Sequence, residues 1–247
     1  MKWRAKLAVV AASAVVLTAG WLAWESWSLP GTEEIRDKLF TQRAPLGQGT
    51  WVPLWAISPK LQSAVVLWED PAFYHHSGLD YPEIARAAWT DLRTASYRRG
   101  ASTITQQVAK NTFLGPEKTL RRKVREAILA GRLERALSKD EILTVYLNIA
   151  EWGDGIVGAE AASRRYFDKS VSDLNWAEAA LLAGILPNPR EWNPCKDPAR
   201  AVQERHAVLT KLLNTQSLTQ QEFEAADSAP STGCHDFAGT AAAADKR

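Results

Sequence analysis

Glu69 and Asp70 stand directly behind an apolar segment carrying Leu61, Val65 and Trp68, and Phe73, His76, Gly78 and Asp80 follow them. Carboxylates at the C-terminal end of a helix oppose its macrodipole, at a cost of about 0.3–1 kcal/mol each. Sequence that breaks a local rule in this way marks a functional site, unless the pair is a solvated helix end. A carboxylate in such a site could take a proton from a reacting group. A second stretch, Gly100-Ala101-Ser102-Thr103-Ile104-Thr105-Gln106-Gln107, runs on to Lys110 and Asn111. Glycine followed by hydroxyl residues at a helix start leaves amides free to hold an anion, and Lys110 adds a full charge about two turns further on. The spacing is not that of a nucleotide-binding P-loop. The plainer reading is a polar N-cap with glutamines in solvent.

Glu126 is the third candidate. On a helix over 117–137 it shares a stripe with Leu129, Leu133 and Leu137, and Arg122 lies one turn earlier, able to pair with it at i, i+4. Such a pair is partly buried, and a purely structural ion pair would look the same. Arg121, Arg122, Lys123, Arg125, Arg132 and Arg135 crowd this stretch, a run that is ordinarily a solvated helix face. Two carboxylates far apart in sequence, a hydroxyl-rich helix start and the cations Lys110, Lys118 and Arg122 together suit an acidic, phosphorylated substrate.

Helices must position these groups. Ser58 before Pro59 predicts one helix start, and Asp80/Glu83, Ser138/Glu141 and Asn175/Glu178 have the spacing of capping boxes. Pro187-Asn188-Pro189 ends the last of these helices. Strand signals are sparse. Residues 29–57 read as a connector broken by Pro30-Gly31 and by Pro45 to Gly49, 58–230 as one mainly helical domain, and 231–247 as a flexible tail.

Residues 7–24 are apolar and follow Lys2, Arg4 and Lys6, so 1–28 read as a basic start and an uncleaved transmembrane helix, about the length a bilayer core requires. A cleaved signal peptide would have a shorter apolar core and a small-residue cleavage site. Either way the domain is exported, with the N-terminus on the cytoplasmic side and Trp21, Trp24 and Trp27 at the outer interface. Cys195 and Cys234 could form a disulfide in an oxidising compartment, or never meet. A net charge of +2 gives no support to a nucleic-acid partner.

Taken together, the motifs resemble those of the peptidoglycan glycosyltransferases. Glu69, Asp70, Phe73, His76, Gly78 and Asp80 match the first; 100–111 match the second; Arg122, Lys123 and Glu126 match the third. Ile142-Leu143 with Tyr146-Leu147-Asn148, and 158–167, follow in order over about residues 50–195. Residues 148–155 are similar to the single-domain branch, and the Ser-x-x-Lys of a transpeptidase is missing.

The resemblance implies a mainly α, lysozyme-like α+β fold on a membrane anchor, acting on lipid II and a growing glycan strand at the outer face of the bacterial cytoplasmic membrane. Glu69 would be the general base, and Glu126 would organise cations. Ser102, Thr103, Gln106, Lys110, Lys118 and Arg122 would bind the donor pyrophosphate, with Asp70, Phe73, His76, Gly78 and Asn111 in support. No cofactor is expected to be tightly bound, though the resemblance leaves room for a divalent Mg or Mn ion near Glu126, and other wall-synthesis proteins are conceivable partners. Many relatives have arginine where this chain has Lys118, which keeps the charge but loses the planar fork. The stretch 81–97, with Trp89 and Leu92, reads as a packed helix or a flap touching lipid. The rival readings are a glycan hydrolase, which needs a protonated acid for a sugar leaving group, and a non-catalytic wall-binding scaffold.

Overall fold

The structure, a computed structural model, describes residues 2–41, 50–94 and 102–230. The breakers at 45–49, Tyr97, Gly100, Ala101, Cys234 and the expected flexible tail lie outside these residues, as does the side chain of Leu92.

Helix α1 spans Lys2–Trp27 and α2 spans Thr32–Phe40. After them come α3 (Pro59–Glu69), α4 (Tyr81–Thr94), α5 (Ile104–Phe113), α6 (Leu120–Ala136) and α7 (Lys139–Ile149). A short antiparallel hairpin, β1 (Glu151–Gly153) with β2 (Ile156–Val157), leads into α8 (Ala159–Phe167). The chain continues with α9 (Trp176–Ile185), α10 (Pro189–Trp192), α11 (Pro198–Asn214) and α12 (Gln220–Asp227). The fold is mainly helical, as expected. Among the described residues no helix is long and apolar enough to cross a membrane.

Local chemistry sets the helix starts. Ser138/Glu141 and Asn175/Glu178 form complete capping boxes, and so do Thr103/Gln106 and Thr219/Glu222. At Asp80/Glu83 only half of the box forms, because Asp80 accepts from the Glu83 amide while the Glu83 carboxylate turns to Arg86. Ser58 stands at the N-cap of α3 but gives its hydroxyl to the Leu174 carbonyl, 3.0 Å away, tying α3 to the loop before α9.

The apolar helix α9 is the centre of the domain, buried from Ala177 through Ile185 and packed between α3 and α11. Gly184 permits the close crossing: a Cβ there would sit 2.9 Å from the Glu204 backbone carbon of α11. A second layer is α5, α6 and α7, where Val108, Leu129, Leu133, Ile142, Leu143 and Tyr146 are buried. Residues 29–57, read as a connector, instead carry α2, whose Ile35 and Leu39 are fully buried against α6. Their i, i+4 spacing is that of a helix with one apolar stripe.

Candidate active site

The two layers meet where α3 ends and α5 begins. Asp70 terminates α3 and is buried; its carboxylate accepts the Ile104 amide at 2.9 Å and lies 3.0 Å from His76 Nε2. Asp70, one of the acidic pair that opposes the macrodipole of α3, therefore satisfies it at α5, where free amides favour negative charge. His76 Nδ1 accepts the Gly78 amide at 3.1 Å, which leaves Nε2 as the donor to Asp70. Gly78 has φ +96°, and a Cβ there would touch the Ala130 backbone at 3.0 Å, so this turn requires glycine. The Gly78 carbonyl accepts from Thr103 Oγ1 at 2.7 Å, and Phe73 is fully buried with Lys139 Nζ over its ring at 4.5 Å. Residues 70–80 are thus a rigid strap joining α3, α5 and α6.

This strap presents Glu69 to a cleft of about 560 Å³, lined also by Trp68, Asp70, His75, Ser102, Thr103 and Lys211. Gln107 Nε2 donates to Glu69 Oε2 at 2.7 Å, and Tyr146 Oη donates to Gln107 Oε1 at 3.4 Å, which fixes the way the amide faces. Burial pushes the Glu69 carboxyl above the ordinary carboxylate range, against the Gln107 hydrogen bond and the charges of Lys110 and Lys211. Burial also pulls Lys110 below the usual lysine range, opposed by Glu126 and Glu69 and reinforced by Arg122 and Lys123. Tyr146 is raised well above the ordinary tyrosine, by burial and by the carboxylates of Glu69 and Asp70, so its hydroxyl stays a donor.

Glu126 is buried on the stripe of Leu129 and Leu133, as its spacing predicts. Its partner is Lys123 rather than Arg122: Lys123 Nζ lies 2.5 Å from Glu126 Oε1 and 2.7 Å from Ser102 Oγ. Arg122 is half-buried, and its Nε is a buried donor with no hydrogen-bond partner among the described residues. The cation cluster begins at the cleft rim, because Ser102 belongs to both.

Three expected site residues stand elsewhere. Gln106 is buried in the cap, its Oε1 accepting the Thr103 amide at 3.1 Å, whereas its neighbour Gln107, one helical step round α5, reaches Glu69. Lys118 and Asn111 are exposed, and no hydrogen bond or ion pair among the described residues ties them to the cluster. A divalent ion at Glu126 finds no support in these side chains alone. Mg or Mn is typically held by one or two carboxylates together with waters and substrate phosphates. Glu126 instead holds an ammonium, and no group of three His, Cys, Asp or Glu could hold a metal among the described residues. Sequence reasoning missed Gln107, Tyr146, Lys123 and Lys211 as site residues. Lys211 lies on α11, beyond the motif-bearing segment, and nothing in its local sequence announces its place beside Glu69.

The sequence matches the model of the transglycosylase family over residues 37–213. It is 44% identical over 209 residues to the biosynthetic peptidoglycan transglycosylase of Rhodospirillum centenum, covering 84% of this chain and 89% of that one. It is 40% identical to the protein of the same name from an Azoarcus species, covering 81% and 90%. Penicillin-binding protein 1A of Aquifex aeolicus is 40% identical over 84% of this chain, which spans 29% of that longer protein. The chain belongs to the transglycosylase family, which includes the biosynthetic peptidoglycan transglycosylases.

Proposed function

We propose that this chain polymerises lipid II into linear glycan strands, with Glu69 as the general base. The observation that carries the reading is the Glu69 carboxylate: oriented by Gln107 in a cleft wide enough for sugars, and flanked by the ammonium groups of Lys110 and Lys211. The acceptor 4-hydroxyl gives its proton to Glu69 and its oxygen attacks the anomeric carbon of the donor. The bond from that carbon to the pyrophosphate oxygen breaks on the opposite face, which inverts the linkage and releases undecaprenyl pyrophosphate. That leaving group needs positive charge more than it needs a proton. Lys110, Arg122 and Lys123 supply it, with Arg122 Nε an unspent donor and Ser102 and Thr103 at the rim. Glu126 keeps Lys123 in place. Asp70, His76, Phe73 and Gly78 act by holding the strap. Desolvation of Glu69 strengthens it as a base, while the Gln107 hydrogen bond and the charges of Lys110 and Lys211 favour its ionised form.

A lysozyme-like ancestry of the fold and a membrane anchor at α1 belong to the same reading. The helix is 26 residues long, about 39 Å at 1.5 Å per residue, and Trp24 and Trp27 at its end are exposed. Anchored there, with its N-terminus cytoplasmic, the enzyme shares a bilayer with its lipid-linked substrate. Cys195 is disulfide-bonded, which supports an oxidising, extracytoplasmic location.

The test is polymerisation of lipid II by detergent-solubilised protein, followed on gels beside the Lys110→Ala/Arg122→Ala variant. The wild type is expected to give a ladder of strands and the variant none, with an unchanged circular-dichroism spectrum. Wild-type turnover in the variant would remove these residues from the pyrophosphate.

A further inference from the structure

Helix α6 has a second face with no part in the chemistry above. Arg121, Arg125 and Arg132 lie on one side of it and reach back to the end of α1. Glu25, fully buried near the C-terminus of α1, receives Arg121 Nε on Oε1 at 2.5 Å. Its Oε2 faces Arg125 Nε at 3.7 Å, and neither atom has a hydrogen-bond partner among the described residues. About two turns along, Arg132 donates to the carbonyls of Ser26, Leu29 and Pro30 at 2.6–2.7 Å and to Ser26 Oγ at 2.9 Å. Arg36 completes the series, donating to the Ala136 carbonyl at 3.0 Å and to Glu141 at 2.7 Å. A basic run that would ordinarily be a solvated face is therefore spent on the chain segment that leaves α1.

A carboxylate buried this completely is costly to desolvate, and replacing a buried ion pair by apolar groups often loses nothing in stability. Such a pair is better suited to fixing one arrangement than to adding stability. The same helix carries Arg122, Lys123 and Glu126, so whatever orients α6 against α1 also sets the height of the cations above the plane in which α1 is held. Arg122 and Lys123 stand beside Arg121 and within a turn of Arg125 on α6, so a loosening of this joint passes directly to them.

We propose that Glu25, with Arg121, Arg125 and Arg132, is a rigid joint between α1 and α6 that holds the pyrophosphate-binding cations at the depth where a membrane-embedded substrate presents its phosphates. Glu25 is a positioning residue: it touches no substrate and acts through α6. The proposal rests on the membrane-anchored polymerase reading.

The experiment uses the full chain reconstituted in phospholipid vesicles, with Glu25→Gln compared to wild type on two substrates. One is lipid II embedded in the bilayer; the other is a short-prenyl lipid II analogue free in solution. Loss of geometric alignment is expected to cut turnover of the embedded substrate about tenfold, while the soluble analogue changes by less than about twofold. The reversed joint, Glu25→Arg with Arg121→Glu and Arg125→Glu, restores the embedded rate. Equal rates on both substrates, or equal losses on both, would overturn the proposal. A second readout needs no activity. Spin labels at Trp27→Cys and Leu120→Cys should give one narrow distance distribution that broadens in Glu25→Gln. An unchanged distribution overturns the joint, whereas a wild type that broadens on mutation but makes no polymer overturns the polymerase reading alone.

Discussion

Replacing Gln107 by leucine removes the amide that donates to Glu69 at 2.7 Å while keeping a side chain of similar reach. A hydrogen bond to a charged group contributes about 1.5–3 kcal/mol, which is a factor of about ten to a hundred and fifty in the proton affinity of the carboxyl. The sign follows from which form is bonded. The ionised carboxylate accepts from Gln107, so loss of the donor favours the protonated acid, and burial already pushes in that direction. A general base works only when ionised, so the acid limb of the pH–rate profile should move to higher pH in Gln107→Leu. Turnover well above that limb should fall much less. The Tyr146 hydroxyl loses a long contact at 3.4 Å, a minor structural cost by comparison. The assay is initial rate of lipid II polymerisation at subsaturating substrate across the pH range, for both proteins. An acid limb that stays in place, or moves down, would refute the assignment of Gln107 as the group that holds Glu69 ionised.

Three further outcomes follow from the same geometry. Lys123→Met leaves the buried Glu126 carboxylate without its ammonium and should cost about 1–3 kcal/mol in urea unfolding, discounted because Lys123 itself is 47% exposed; an unchanged midpoint would show the pair to be idle. Gly78→Ala forces a side chain into φ +96° and against the Ala130 backbone, so it should lower the melting temperature and, by displacing the strap under Glu69, the polymerisation rate as well. A normal rate in that variant would separate the strap from catalysis. Glu69→Gln should be inactive yet more stable at neutral pH, by about 0.5–2 kcal/mol. A raised folded-state pKa stabilises below the unfolded value and loses that contribution as pH rises through the folded one, so the advantage should vanish in acid. A melting temperature that falls at neutral pH would contradict the desolvation of Glu69.

Much of this was legible before the structure, for reasons that are local. Capping boxes such as Ser138/Glu141 are satisfied within one turn, and the Glu126 stripe needs only helical periodicity, so both appear as expected. What escaped depends on direction or distance. Gln106 and Gln107 are equivalent as letters; only the capping geometry, which draws Gln106 back to Thr103, tells which one faces the cleft. Arg122 and Lys123 both sit within reach of Glu126, at i+4 and i+3, and the shorter step won because Lys123 also finds Ser102. Lys211 arrives through the packing of α11 on α9 and α3, a tertiary event with no local signature. The connector that became α2 shows its signal in Ile35 and Leu39, an i, i+4 pair obscured by the breakers on either side.

The central claim is that Glu69 serves as base for glycosyl transfer to a second sugar rather than as acid for glycan cleavage. Purified wild type and Glu69→Gln, each given lipid II in one reaction and preformed glycan strands in another, test it most directly. Strands from lipid II are expected with wild type alone, and intact glycan with both proteins. Cleavage of preformed glycan by a well-folded wild type that makes no polymer would contradict it.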